Sequence, residues 1–212
     1  MNLPTKITVT RIAATFILIV TLFVLSLLKF EAPNLGNTNI NAVFLGVFVF
    51  FVIASYTDHL DGHLARKNNQ ITDLGKFLDP VADKLLVNSM VIFLVAPSIF
   101  APYATTQMVC FNVWCAILLV VRDVVVDALR FIAAQKNVVI AANIYGKLKT
   151  VLEMVAIGLI LLNGFPFNYF DHNWYPGLRI TDFVVYITTF VSVLSGVIYV
   201  YQNRKVFQGG NK

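Results

Sequence analysis

The chain has 212 residues, of which 58% are hydrophobic and 13% charged, about half the ~25% charged fraction of a soluble domain. This composition predicts an integral membrane protein and excludes an ordinary soluble domain. The net charge of +5 does not indicate a nucleic-acid partner, because the lysines and arginines stand at the ends of apolar runs. Positive charge in that position sets membrane orientation and contacts acidic lipid.

Six apolar runs follow one another along the chain, and a transmembrane helix needs roughly 17–25 such residues. The predicted spans cover about 11–28, 41–56, 73–95, 106–134, 146–163 and 181–201, with the second continuing as helix through Arg66. The first run is longer than the ~7–15 apolar residues of a signal peptide, so we expect it to remain. The prediction is an all-α membrane protein with six transmembrane helices and one domain over residues 1–212.

The stretch NLPTKITVTRI, residues 2–12, precedes the first span and mixes polar with apolar residues. Its pattern predicts an amphipathic helix that lies at the membrane surface. Lys6 and Arg11 would provide the charged side of this helix, and Ile7 and Ile12 the apolar side.

The distribution of positive charge predicts that both termini are cytoplasmic. With six spans and a cytoplasmic N-terminus, Lys29 and Arg179 alone of the sixteen lysines and arginines fall on the outer side. Most acidic residues also fall on the inner side, although ionisable groups at membrane depth are costly and usually functional. The sequence therefore predicts a charged cavity open to the cytoplasm, in a bacterial inner membrane.

Acidic residues are concentrated in SYTDHLDGHLARKNNQITDLGKFLDPVADK, residues 55–84. At about 100° per residue, two sets each share one helix face. The sets are Asp58, Asp61, Gly62 and Ala65 on one helix, and Gly75, Asp79 and Asp83 on the next. A short link makes these helices antiparallel neighbours, so we expect the four carboxylates to face one another.

Four carboxylates at such close range repel strongly in a medium of low dielectric constant. Two divalent cations would cancel their charge, and an all-oxygen ligand set suits Mg²⁺ or Mn²⁺. The glycines leave room for a ligand to approach. Because carboxylate-held metals beside a gap commonly bind phosphates, the sequence predicts a site with two Mg²⁺ or Mn²⁺ ions for a phosphate compound.

Other residues of this stretch have alternative explanations. Asp73 follows Thr72 at a predicted helix start, where a capping role is expected. His59 and His63 are four apart, as in a zinc helix of the H-E-x-x-H type, but Leu60 stands where the glutamate belongs. Pro80 predicts a kink within its helix.

The pattern Asp58-x2-Asp61-Gly62-x2-Ala65-Arg66-x8-Gly75-x3-Asp79-x3-Asp83 resembles the signature of the CDP-alcohol phosphotransferase family. Members transfer a substituted phosphate from a CDP-linked donor to an alcohol and release CMP. The resemblance implies that all four aspartates hold metal and that Asp83 is also the general base. It further implies a nucleotide site, and its residues would be Pro4, Thr5, Gly62, Ala65, Arg66, Thr72 and Gly75.

Residues 2–12 and the segments 122–130 and 146–150 resemble the bacterial phosphatidylglycerophosphate synthases of that family. This resemblance implies CDP-diacylglycerol and glycerol 3-phosphate as substrates. The local charge agrees with a phosphorylated acceptor, since arginine and lysine bind phosphate. The candidate ligands for the acceptor phosphate are Arg122, Arg130, Lys147 and Lys149. Alternatively, these side chains mark the cytoplasmic side and reach lipid phosphates.

Other acceptors remain open, namely inositol phosphate, serine or phosphatidylglycerol. A divalent-cation transporter is a different class of function, but a transport path needs polar residues on both sides of the midplane. The outer halves of the predicted spans carry almost no charge. The family resemblance also implies a homodimer, with the third and fourth spans at its interface.

Overall fold

A computed structural model describes residues 3–30, 33–35, 40–67, 73–96, 108–136, 144–171 and 173–204. Within these ranges the chain forms seven helices and no strand beyond an isolated bridge between Asn34 and Asn41. The helices are α1 (Leu3–Leu27), α2 (Ala42–Lys67), α3 (Asp73–Phe93), α4 (Val113–Gln135), α5 (Ile144–Leu161), α6 (Asn168–Asp171) and α7 (Ile180–Gln202). The predicted all-α fold is confirmed for this part of the chain.

Contacts group the chain into two compact units. The first contains Met1–Cys110 with Ile160–Phe165, and the second contains Phe111–Leu159 with Pro166–Lys212. The prediction of a single domain stays a prediction.

In the first unit, α1 packs against α2 and α3, and α2 packs against α3. Large apolar side chains fill the space between these helices. Phe44 of α2 meets Phe93 of α3 edge to face, with ring centroids 5.7 Å apart, a favoured aromatic geometry. Met90 and Val91 of α3 are almost completely buried beside them. This packing fixes α2 and α3 as neighbours, as the short link between them predicted.

Helix α1 differs from its prediction in two respects. It runs without a break from Leu3 to Leu27, so the predicted surface helix and the first predicted span form one continuous helix. Its polar residues Thr5, Thr8, Arg11 and Thr15 are buried, while large apolar side chains such as Phe16 are exposed. The physical reason is the solvent, since an apolar face can contact lipid while polar groups find partners inside the protein.

In the second unit, α4 packs against α7, and Val126, Leu129 and Tyr199 form a small buried cluster between them. Helix α4 begins later than predicted, because Asn112 caps it by accepting a 2.9 Å hydrogen bond from the Trp114 N–H. At the start of α7 the reverse arrangement occurs, since Asp182 in the first turn accepts from the N–H of the N-cap residue Arg179 at 3.0 Å. The short helix α6 lies between the fifth and sixth predicted spans, where the sequence predicts no helix.

Two described helices, Thr5–Leu27 and Ile180–Gln202, are long and apolar enough to cross a membrane. Both carry large apolar side chains with most of their surface exposed, such as Phe16 at 62% and Phe190 at 68%. Exposed apolar surface on this scale marks contact with lipid or with another protein. These features are consistent with a membrane protein, and the other four spans stay predictions.

Candidate active site

The structure places the acidic signature on two helices that pack against each other. Residues 58–66 lie within α2, and residues 75–83 lie within α3, which continues through Pro80. The predicted helical setting of both stripes is therefore confirmed. Some predicted site residues lie outside the described side chains, and these are Pro4, Asp61, Gly62, Ala65, Arg66, Thr72, Gly75 and Asp79. The same holds for His59, His63 and Asp73, so the zinc and capping alternatives stay untested.

Asp58 and Asp83 are the two signature aspartates whose side chains the structure describes. Both are half-buried, and the Asp58 side chain keeps 35% of its surface exposed. A carboxylate in this position is held by the helix yet open to a ligand. No cluster of three metal-binding side chains occurs among the described residues, so convergence of all four aspartates stays a prediction.

The donor chemistry of these residues fits a hard divalent cation. Carboxylate oxygens are the ligands that Mg²⁺ and Mn²⁺ prefer. Among the described side chains, α2 presents the half-buried Asp58 and α3 the half-buried Asp83. A metal shared between two packed helices would also offset the repulsion between their acidic stripes.

An ion pair between α1 and α2 was missed by the sequence analysis. The Arg11 guanidinium donates through Nη1 to Oδ1 of Asp58. Arg11 had been assigned to the charged side of a surface helix, yet its side chain is only 4% exposed. The available signal was the spacing of Thr5, Thr8, Arg11 and Thr15, which places all four within about 120° of the helix circumference. The structure thus adds α1 to the surroundings of the acidic stripe, with Thr5 on the same buried face.

The second unit contains a buried network of charged side chains. Nζ of Lys149 lies 2.8 Å from Oδ1 of Asp123 and 2.5 Å from Oε2 of Glu153. Nη1 of Arg122 lies 3.0 Å from the same oxygen of Asp123. The Lys149, Asp123 and Glu153 side chains are each at most 2% exposed. Two cations and two carboxylates therefore neutralise one another inside the bundle.

Arg122 is held from a second direction by α7. Its Nε donates to the Ser192 carbonyl at 3.2 Å, and Nη2 donates to Oγ of Ser195 at 2.9 Å. The arginine stem passes so close to Gly196 that a Cβ there would lie 2.8 Å from Cγ of Arg122. Arg122 also borders an apolar groove of about 500 Å³ between α4 and α7. Its guanidinium is consequently fixed in position.

The other two candidate ligands for an acceptor phosphate lie on the surface. Arg130 is exposed, donates through Nε to the Tyr199 hydroxyl at 3.2 Å, and stacks on that ring. Lys147 is also exposed. The four basic residues therefore divide into Lys149 and Arg122, which are engaged internally, and Arg130 and Lys147, which are accessible.

Comparison with known proteins agrees with the signature. A family model described as CDP-alcohol phosphatidyltransferase matches residues 1–198. The chain is 36% identical to the CDP-diacylglycerol–glycerol-3-phosphate 3-phosphatidyltransferase of Bacillus subtilis, over 99% of both chains. It is 32% identical to the protein of the same name from Rickettsia bellii, over 97% of both. An Arabidopsis thaliana relative, the second enzyme of that name, is 29% identical over 98% of this chain and 81% of its own. The chain belongs to the CDP-alcohol phosphatidyltransferase family.

Proposed function

We propose that the protein transfers a phosphatidyl group from CDP-diacylglycerol to glycerol 3-phosphate, giving phosphatidylglycerophosphate and CMP. The observation that carries this proposal is full-length similarity to relatives whose name states that reaction, at 36% identity in Bacillus subtilis. The acidic signature on α2 and α3, with half-buried Asp58 and Asp83, supplies matching chemistry. The product class is a precursor in phospholipid biosynthesis.

In this proposal, Asp58, Asp61, Asp79 and Asp83 hold two Mg²⁺ or Mn²⁺ ions. When bound, the ions would neutralise the diphosphate and stabilise the charge that develops on the CMP leaving group. The support is the donor set itself, because half-buried carboxylates on packed helices are suitable oxygen ligands.

Asp83 is the proposed general base. The acceptor hydroxyl has a pKa far above neutrality, so a positioned carboxylate is needed to take its proton during attack. The hydroxyl oxygen attacks the phosphorus that bears the lipid, the bond from that phosphorus to the bridging oxygen breaks, and CMP leaves. The half-buried position of Asp83 supports this role, because it allows contact with a substrate.

The nucleotide would be bound by Pro4, Thr5, Gly62, Ala65, Arg66, Thr72 and Gly75. For the acceptor phosphate, the proposed ligands are Arg122, Arg130, Lys147 and Lys149. The structure favours unequal roles for the last four, because Lys149 already meets two carboxylates while Arg130 and Lys147 are exposed. We assign direct contact first to the exposed pair and to Arg122, and treat Lys149 as the residue that neutralises Asp123 and Glu153.

The proposed setting is a bacterial inner membrane crossed six times, with both termini and the active site on the cytoplasmic side. A lipid donor explains this setting, since its acyl chains stay in the bilayer while the headgroup reaches the aspartates. The proposed assembly is a homodimer. The apolar exposed surfaces of α1 and α7 support membrane insertion.

The test is CMP release by purified protein with CDP-diacylglycerol and Mg²⁺, offered glycerol 3-phosphate, inositol phosphate or serine in separate reactions. Release with glycerol 3-phosphate alone is the expected result. Release with another acceptor would overturn the acceptor and leave the phosphotransfer chemistry intact. A folded protein that releases no CMP with any acceptor would contradict the proposal.

A further inference from the structure

Arg11 combines deep burial with incomplete hydrogen bonding. Its side chain is 4% exposed, and Nη1 donates to Asp58. Its other two nitrogens, Nε and Nη2, are buried and have no hydrogen-bond partner within the part of the chain that the structure describes. A buried donor left without an acceptor is unfavourable, and more so when the group is charged. The guanidinium therefore has binding capacity that the described protein groups do not use.

The position of Arg11 connects this capacity with the acidic stripe. Arg11 lies on the face of α1 that is buried, and α1 packs against both α2 and α3. Its ion-pair partner among the described residues, Asp58, begins the carboxylate stripe of α2 and is itself half-buried. A ligand held near Asp58 would thus lie within reach of the remaining guanidinium donors.

We propose that Arg11 is a substrate-binding residue that donates from Nε and Nη2 to two oxygens of one phosphate in the diphosphate of the CDP-linked donor, while Nη1 holds Asp58. This inference rests on the proposed function. The Nε and Nη2 donors of a guanidinium form a planar fork that matches two oxygens of one phosphate. In the proposed site the charges of four aspartates and two divalent cations would cancel. A phosphate anion would then offset the remaining positive charge of Arg11.

A purely structural role for Arg11 makes a different prediction. If the arginine only joined α1 to α2 through Asp58, its replacement would lower stability and leave nucleotide affinity unchanged in protein that folds. Arg11→Lys separates these roles, because lysine keeps the charge next to Asp58 but loses the fork. Lys6→Met is the matched control, since Lys6 is an exposed cation on the same helix.

The experiment measures binding of CDP to detergent-purified protein in Mg²⁺ by isothermal titration calorimetry, with unfolding temperature as the check on folding. We expect Arg11→Lys to bind CDP about 10- to 100-fold more weakly, the loss expected for one charge-assisted hydrogen bond. Lys6→Met should bind CDP as the unchanged protein does. The affinity for cytidine, which has no phosphate, should be the same in all three proteins.

Unchanged CDP affinity in folded Arg11→Lys would overturn the inference. If the variant instead raised the KM for glycerol 3-phosphate alone, the acceptor phosphate would be the ligand and the diphosphate assignment would be wrong.

Should Arg11→Lys not fold, ¹⁵N-arginine spectra of the unchanged protein test the same inference. We then expect CDP, and not cytidine, to shift a buried Nε–H signal, and absence of any shift would overturn the inference. Failure of the unchanged protein to bind CDP at all would instead reject the proposed function.

Discussion

Two regions of the molecule place charge inside an apolar bundle, and they do so in opposite ways. Between α4, α5 and α7, Asp123 and Glu153 are buried and met by Lys149 and Arg122. Between α1 and α2, Arg11 is buried, but two of its three side-chain nitrogens lack a hydrogen-bond partner among the described residues, and its Asp58 partner is 35% exposed. The first region is neutralised by its own side chains, whereas the second retains groups that can bind a ligand.

This comparison indicates that the charged groups of the first region stabilise the fold, whereas those of the second are available for binding or catalysis. Ionisable residues at membrane depth are costly wherever they occur, so their presence alone does not identify an active site. A buried pair that is complete becomes strongly destabilising when one partner is removed. A half-buried carboxylate next to an unsatisfied cation should instead tolerate replacement, with loss of binding or turnover as the main effect. The two regions therefore predict opposite responses to mutation.

The largest expected effect is a loss of turnover when the acidic stripe of α3 is changed. Asp83→Asn removes the proposed base while keeping the size of the side chain, and should reduce CMP release by about 10²- to 10⁴-fold with little change in unfolding temperature. Asp127→Asn is the control, because Asp127 is also a half-buried helical aspartate but lies in α4. An Asp83→Asn protein with normal turnover would exclude the assigned base.

The next effect is on stability, in the α4–α5–α7 network. Lys149→Met leaves two buried carboxylates with Arg122 as their remaining cation in the network, and removal of one partner from a buried pair costs about 3–5 kcal/mol. We expect a clear fall in the unfolding temperature of the detergent-purified protein. Lys147→Met, an exposed lysine of the same helix, should leave that temperature unchanged.

A different result for Lys149→Met would contradict the structural role assigned to Lys149. If stability were normal and the KM for glycerol 3-phosphate rose, Lys149 would be an acceptor ligand like those of the exposed pair. The buried network would then not serve stability alone.

A smaller effect tests how Arg122 is positioned. In Gly196→Ala the new Cβ would lie 2.8 Å from Cγ of Arg122, and crowding of this kind typically costs about 1–3 kcal/mol. We expect a lower unfolding temperature and a higher KM for glycerol 3-phosphate. Gly146→Ala is the control, because a Cβ at Gly146 meets nothing within 4 Å. Equal behaviour of the two variants would show that Arg122 moves aside freely.

The sequence predicted the helical stripes correctly because carboxylates and glycines repeat at helical spacing, a purely local property. It could not predict the partner of Arg11, since the ion pair joins residues 47 positions apart. The spacing of Thr5, Thr8, Arg11 and Thr15 could have located the polar face of α1, but it does not show whether that face meets water or protein. The same limit applies to Lys149, which the sequence grouped with three other basic residues as a candidate phosphate ligand. Its ion pairs with Asp123 and Glu153 could be identified only from the structure. Helix α6 has four residues, too few to produce a periodic pattern.

We propose that the acidic stripes of α2 and α3 hold the divalent cations of a phosphotransfer site. The most direct measurement is titration of metal-stripped protein with Mn²⁺ in the presence of CDP, with free Mn²⁺ followed by electron paramagnetic resonance. We expect two bound Mn²⁺ ions per chain, weaker Mn²⁺ binding in Asp58→Ala, and unchanged Mn²⁺ binding in Lys147→Met. Absence of saturable Mn²⁺ binding in folded protein, or the same binding in Asp58→Ala as in the unchanged chain, would contradict it.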